Sequence, residues 1–206
     1  ALTSAFKAYR QSSMMILLAA TFIIGTVHFL YFYQTSKFLK AIGLNDAYIM
    51  PAMSIGQFAE IAAMAGLGLM LRRLGFRKVI ILGAGCYVLR YLVFANFALL
   101  PIEVIVVSQS LHGPCFACFY AAGFIYVDRM APVDIRHSVQ TLFGLMCFGI
   151  GPLTAGQLNG TLAAWCTPTG QMLDYERFWY ATAAIGFVGL AVLVCLFHDQ
   201  TESTAT

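Results

Sequence analysis

The chain has 206 residues, of which 60% are hydrophobic and 10% charged, and its mean hydropathy is +0.79. A water-soluble domain carries roughly 25% charged residues, so the composition argues against a soluble globule, a disordered tail or a nucleic-acid-binding domain. The formal net charge of +3 is too small to recruit a polyanion. Six Cys lie scattered without the framework spacing of a small secreted domain and read as apolar packing residues. This is the composition of a polytopic membrane protein.

A spanning helix needs about 20 mostly apolar residues. In chain order, six segments reach that length: Ser13–Tyr33, Ala47–Leu71, Val79–Phe97, Ile102–Val127, Val139–Leu162 and Phe178–Phe197. Polar or turn-forming breaks separate them, among them Gly43–Asp46, Arg72–Lys78 and Ala131–Asp134. The sequence therefore predicts an all-α membrane protein with a six-transmembrane-helix bundle over 13–197. A cytoplasmic lead-in over 1–12 precedes it, and a disordered tail over 198–206 follows. The first span could pass for a signal peptide, but five more spans follow and the chain begins without Met, so a cleaved leader explains little.

Positive charges set the direction. With the N-terminus inside, Lys7, Arg10, Arg72, Arg73, Arg77, Lys78, Arg129 and Arg136 face the cytoplasm, and only Lys37, Lys40 and Arg177 face out. Both termini are then expected on the cytoplasmic side of the cell (inner) membrane, with the lipid bilayer as an obligatory partner.

Two charges lie deep in the spans. A charge at mid-bilayer costs at least about 2.5 kcal/mol, which makes Glu60 and Arg90 functional candidates by default. Glu60 lies 11 residues before Leu71 and Arg90 lies 11 residues after Val79. In a helical hairpin both then sit at one height, about 16 Å from the connecting loop at 1.5 Å per residue. A Glu60–Arg90 ion pair is the predicted arrangement; the alternative has Glu60 facing a water-filled cavity while Arg90 pairs elsewhere. Ser54, Gln57 and Glu60 fall at i, i+3 and i+6 and form a polar stripe. Such a stripe serves either as glue between helices or as a binding face, where an amide beside a carboxylate can hold a polar solute.

The fourth span carries Ser108-Gln109-Ser110-Leu111-His112-Gly113-Pro114, and Gly113-Pro114 is expected to kink it and free backbone carbonyls. His112, Phe116 and Phe119 share a face at i, i+4 and i+7, with Tyr120 one position on. An imidazole among stacked aromatics could hold a planar ligand or titrate near neutral pH; alternatively His112 donates to a carbonyl freed by Pro114. His28, among aromatics in the first span, reads as packing. Cys115 and Cys118 form a CxxC inside an apolar helix, a weak signal for redox or metal chemistry. Gly66, Gly68, Gly83, Gly85 and the Gly156–Gly160 pair fit close helix approach. The sequence contains no P-loop, Ser/His/Asp set or HExxH motif, so neither an enzyme nor a cofactor or metal is expected.

The stretch Gly68-Leu69-Met70-Leu71-Arg72-Arg73-Leu74-Gly75-Phe76-Arg77-Lys78 resembles the signature loop of the major facilitator superfamily, G-x-x-x-D-R-x-G-x-R-K, with Arg72 at the Asp position. Further stretches resemble the nucleoside:proton symporter family of that superfamily. These are Ser54 to Glu60, Tyr87 to Tyr91, His112-Gly113 through Asp128, and Ser138 to Phe143. The resemblance implies that the chain equals the C-terminal half of a twelve-helix major facilitator transporter. The loop residues Gly68, Arg72, Arg73, Gly75, Arg77 and Lys78 would then gate the cytoplasmic side. It also implies that Gln57 and Glu60 contact a nucleoside, that Glu60 takes part in proton coupling, and that Phe116 occupies an aromatic position of the binding site.

An Asp commonly follows that aromatic in the family, and here the position is Ala117, so the chain either differs in substrate or relies on Glu60 and His112 for recognition and coupling. The first span also lacks the expected polar pair; its nearest polar candidates are Thr26, His28 and Gln34. The expected function is proton-coupled uptake of a nucleoside or similar small polar solute by alternating access. The expected partners are the solute, protons, and a missing N-terminal six-helix half or a second copy. A start on a short basic segment without Met fits a cut in the central loop of a longer permease. The rival reading is a six-helix scaffold or channel subunit.

Overall fold

The computed structural model describes residues 12–169 and 172–199, and no strand occurs among the described residues. Most of the expected lead-in (1–11) and of the expected tail (200–206) lies outside them. Among the described residues, five helical runs are long and apolar enough to cross a membrane. They are α1 (Ser12–Ala41), α2 (Asp46–Ala95), α3 (Ile102–Met130), α4 (Val133–Trp165) and α5 (Tyr175–Leu196). Each extends beyond its expected span at one end or both, but α2 stops two residues short of Phe97 and α5 one residue short of Phe197. Side-chain caps start two of them: Asn45 Oδ1 accepts from the Ala47 amide, and Asp174 Oδ1 accepts from the Arg177 amide.

The run α2 has 50 residues and would be about 75 Å long if straight. It is not straight. Gly75 has φ 75° and ψ 167°, a left-handed value that glycine adopts without a Cβ penalty. Gly56 and Arg90 both reach His112 of α3, so the two arms of α2 fold back beside one another. The expected loop over Arg72–Lys78 is thus a single non-helical residue, and the helix resumes at once because its freed groups find partners. The Phe76 amide donates to Asp199 Oδ2 at 3.1 Å. Arg77 donates through Nε to the Phe197 carbonyl and through Nη2 to that of Val194, both at 2.7 Å. A cation there satisfies carbonyls that the end of a helix leaves open. Asp199, at the start of the expected disordered tail, is held in this contact.

The third run is irregular around Pro114, which has no N–H to return to the preceding turn. The helix tightens to 3-10 over Ser108–Leu111 and widens to a π-helix over Cys115–Ala121. Both arms of α2 close on α3 at glycines. A Cβ on Gly113 would lie 2.4 Å from the Ala59 carbonyl, and one on Gly83 would lie 2.5 Å from the Phe119 amide. Of the glycines expected at helix contacts, Gly83 is at one. Gly66, Gly68, Gly85 and Gly160 meet nothing within 4 Å, and Gly156 meets only the Tyr33 hydroxyl at 4.0 Å. The Gly156–Gly160 pair lies exposed on α4.

Because backbone cannot yield as a flexible side chain can, Gly113→Ala is expected to cost about 1–3 kcal/mol through overpacking. A lowered melting temperature of the detergent-solubilised protein would show it, and an unchanged one would mean that α3 is not pressed against Ala59.

The core is aromatic. Trp179, Tyr31, Tyr87, Tyr91, Phe94 and Phe119 are fully buried, and Trp179 stacks on Tyr91 with ring centroids 5.7 Å apart. Polar stitches tie α1 to α4: the Thr26 and Thr154 hydroxyls lie 2.9 Å apart, and Gln34 Nε2 donates to Asn159 Oδ1 at 2.8 Å.

Candidate functional site

Counting along the hairpin places Glu60 and Arg90 at one height, and the structure agrees, yet they do not pair with each other. The imidazole of His112 stands between them. Arg90 Nη1 lies 2.9 Å from His112 Nδ1, and His112 Nε2 lies 3.8 Å from Glu60 Oε2. The direct ion pair fails because Gly113 lets α3 press into the gap between the two arms of α2, and His112, one residue earlier, fills it. His112 therefore meets side chains on both sides and no carbonyl freed by Pro114.

Arg90 is fully buried without a carboxylate at its guanidinium. Aromatic faces take that place: its Cζ lies 4.1 Å from the Tyr31 ring centroid, 5.1 Å from Tyr91 and 5.4 Å from Tyr87. A desolvated cation over such faces gains about 2 kcal/mol. Nη2 also donates to the Tyr91 hydroxyl at 3.2 Å, which in turn donates to the Val27 carbonyl. Tyr31 donates to Gln109 Oε1 at 2.9 Å. His28 Nδ1 shares a hydrogen bond of 2.8 Å with the Tyr87 hydroxyl, and its ring stacks on His112 at 5.5 Å. His28 is thus buried within the same polar core.

Glu60 is only partly buried, and Gln57 is exposed. With Ile61 and Met64 they line an open cleft of about 370 Å3, within the usual range for a small-molecule site. Ser54 bonds to the Met50 carbonyl of its own helix at 2.9 Å, so the members of the stripe that border the cleft are Gln57 and Glu60.

The aromatic face of α3 differs from expectation. An α-helical count puts Phe119 beside His112 and Phe116, but the wider i→i+5 turn of the π-helix rotates it away. Phe119 packs edge-on against Tyr87, with centroids 6.3 Å apart. Tyr120 takes the expected place, 5.6 Å from Phe116 and 5.1 Å from His28. Phe119 and Tyr120 are fully buried and so closed to a solute in this conformation, whereas Phe116 stays partly open. Cys115 and Cys118 are buried free thiols, and no group of three potential metal ligands occurs among the described residues.

At the Gly75 end, Gly68, Leu71, Arg72, Phe76, Ile125 and Arg129 line a recess of about 320 Å3. The Arg129 guanidinium stands over the Phe76 ring at 5.1 Å. Nearby Asp128 accepts from Gln140 Nε2 at 2.9 Å and meets Arg136 Nε at 3.7 Å. Arg73 and Lys78 are exposed, and Arg77 holds the end of α5.

Residues 1–202 match the Nucleoside H+ symporter family. The chain belongs to that family. It is 27% identical to the YegT protein of Escherichia coli K12 over 96% of its length and 48% of that relative. It is 26% identical to the nucleoside permease NupG of the same strain over 70% of its length and 35% of the permease. The chain thus spans about half the length of the relatives it matches. The crystal structure of nucleoside transporter NupG aligns with a TM-score of 0.83 at 22% identity, over 94% of this chain and 50% of that one. A likeness at that identity establishes a shared helical fold. These two relatives are described as a putative nucleoside transporter and a nucleoside permease.

Sequence reasoning missed Tyr31, Gln109 and Asn159 in this symporter-family chain. Gln109 lies in the Ser108-Gln109-Ser110 stretch, and a polar run inside an expected span was the available signal.

Proposed function

We propose that this chain forms the C-terminal six-helix half of a twelve-helix major facilitator transporter that takes up a nucleoside or similar small polar solute with protons by alternating access. The reversal of α2 at Gly75 supports counting its arms as two spans, which gives six. Coverage of about half of each relative supports a further six-helix half, or a second copy, as the partner that encloses the site. The loop charges support both termini on the cytoplasmic side of the inner membrane.

The observation that carries the transport reading is Glu60. It is an ionisable group at membrane depth, partly open to a cleft beside the Gln57 amide and backed by the His112–Arg90 pair. An amide donates and accepts at once, which suits the polar edge of a base or sugar. A site at mid-membrane between two halves can then open to either side.

Binding is testable without transport. Nucleosides at about 100 times their Kd should stabilise the complete protein by roughly 2.7 kcal/mol, seen as a raised melting temperature. Gln57→Ala should remove most of that shift. A screen in which nucleosides, sugars and other polar solutes all leave the melting temperature unchanged would favour a scaffold.

A further inference from the structure

We propose that Arg90 and His112 are positioning residues for Glu60. Arg90 fixes His112 as its neutral Nε2–H tautomer, so the imidazole presents a donor to the Glu60 carboxylate and takes up no second proton. This deepens the transport reading and rests on it.

The argument begins with the donor inventory. A guanidinium has five N–H donors and no acceptor. With Arg90 Nη1 2.9 Å from His112 Nδ1, Nδ1 must accept, and the imidazole hydrogen sits on Nε2. That nitrogen faces Glu60 Oε2 at 3.8 Å, longer than a hydrogen bond and too short to admit a water between. A small movement of the Glu60 side chain, which borders the open cleft, completes the bond.

A second proton on His112 would set an N–H against the Arg90 N–H. Arg90 has no room to turn aside, because Tyr31, Tyr87 and Tyr91 hold its plane and Nη2 is bonded to the Tyr91 hydroxyl. The ionisable groups around His112 are His28 and Tyr31 from α1, Glu60 from the first arm of α2, Tyr87, Arg90 and Tyr91 from the second, and Cys115 on its own helix. Glu60 is the one carboxylate among them, and it faces the nitrogen that already bears hydrogen. Glu60 is therefore the group that takes and releases the proton. While ionised it is drawn to the Nε2–H; once protonated it loses that attraction and is free to turn to the solute.

The tautomer is read by 15N NMR of the complete protein labelled at histidine, with the His112 signals assigned by their loss in His112→Gln. The expected result is one Nε2–H and one bare Nδ1 from pH 8 down to pH 5, and in Arg90→Met a His112 that gains its second proton within that range. A doubly protonated His112 in the wild type above pH 5, or hydrogen on Nδ1, overturns the proposal.

A transport arm separates positioning from proton carrying. His112→Gln keeps an amide donor near the Nε2 position but cannot titrate. Its uptake rate should fall while its accumulation ratio still rises about tenfold per pH unit. Loss of that dependence makes His112 a proton carrier and overturns the proposal. If the complete protein moves no nucleoside, the transport reading fails, while the tautomer result still decides the Arg90–His112 geometry.

Discussion

Glu60→Gln is expected to abolish proton-driven accumulation of nucleoside while sparing exchange of nucleoside across the membrane. For one proton per solute, a gradient of one pH unit is worth about 1.36 kcal/mol and supports roughly tenfold accumulation. Gln copies the size and hydrogen bonding of protonated Glu but cannot release a proton. Such a carrier can cross loaded in both directions, so labelled and unlabelled solute still exchange, but the pH gradient no longer drives the cycle. In proteoliposomes with an alkaline interior the accumulation ratio should fall from about ten to one. Glu60 is partly exposed to the cleft and its closest ionisable neighbour is the neutral His112 imidazole at 3.8 Å, so the substitution leaves no buried charge orphaned. A loss of folding is therefore not expected, and normal melting of Glu60→Gln separates coupling from stability. Unchanged accumulation would remove Glu60 from the coupling role.

Arg90→Ala is expected to destabilise the protein by about 3–5 kcal/mol. Truncating a large, fully buried side chain leaves a cavity costing a few kcal/mol, and His112 Nδ1 loses its donor. Arg90→Met separates the two effects. Met fills most of the volume and brings no charge to desolvate, and replacing a buried charge with an apolar group is often close to neutral. Its melting temperature should recover much of the way to wild type while coupled uptake stays impaired, because no donor then fixes the imidazole. Arg90→Lys should not rescue uptake, since an ammonium lacks the planar fork that lies over Tyr31 at 4.1 Å and bonds two partners at once. Full uptake by Arg90→Met would show that Arg90 serves packing alone.

Much of this site was legible in the sequence. Residue counting from the second loop placed Glu60 and Arg90 at one depth, since helical rise is regular on both sides of a short reversal. Their actual partner came from a third helix, and local counting carries no information about which element enters a gap. The clue was Gly113, read as part of a kink; the structure uses its missing side chain to bring α3 against Ala59. Phe119 was placed on the wrong face because a 3.6-residue period does not hold through a π-helix. Gly156 and Gly160 of α4 matched a spacing pattern that says only which residues could approach another helix; Gly156 meets only the Tyr33 hydroxyl and Gly160 nothing within 4 Å. The membrane class and the helical segments were the most legible, because long apolar runs leave few alternatives.

The central claim is that nucleoside and proton move together through Glu60. The most direct measurement is nucleoside-evoked proton flux, read with a pH-sensitive dye sealed inside proteoliposomes of the complete protein. Adding nucleoside outside should acidify the lumen with wild type, and with Glu60→Gln it should leave the lumen pH unchanged although exchange of labelled nucleoside continues. Acidification by Glu60→Gln equal to that of wild type would contradict the account.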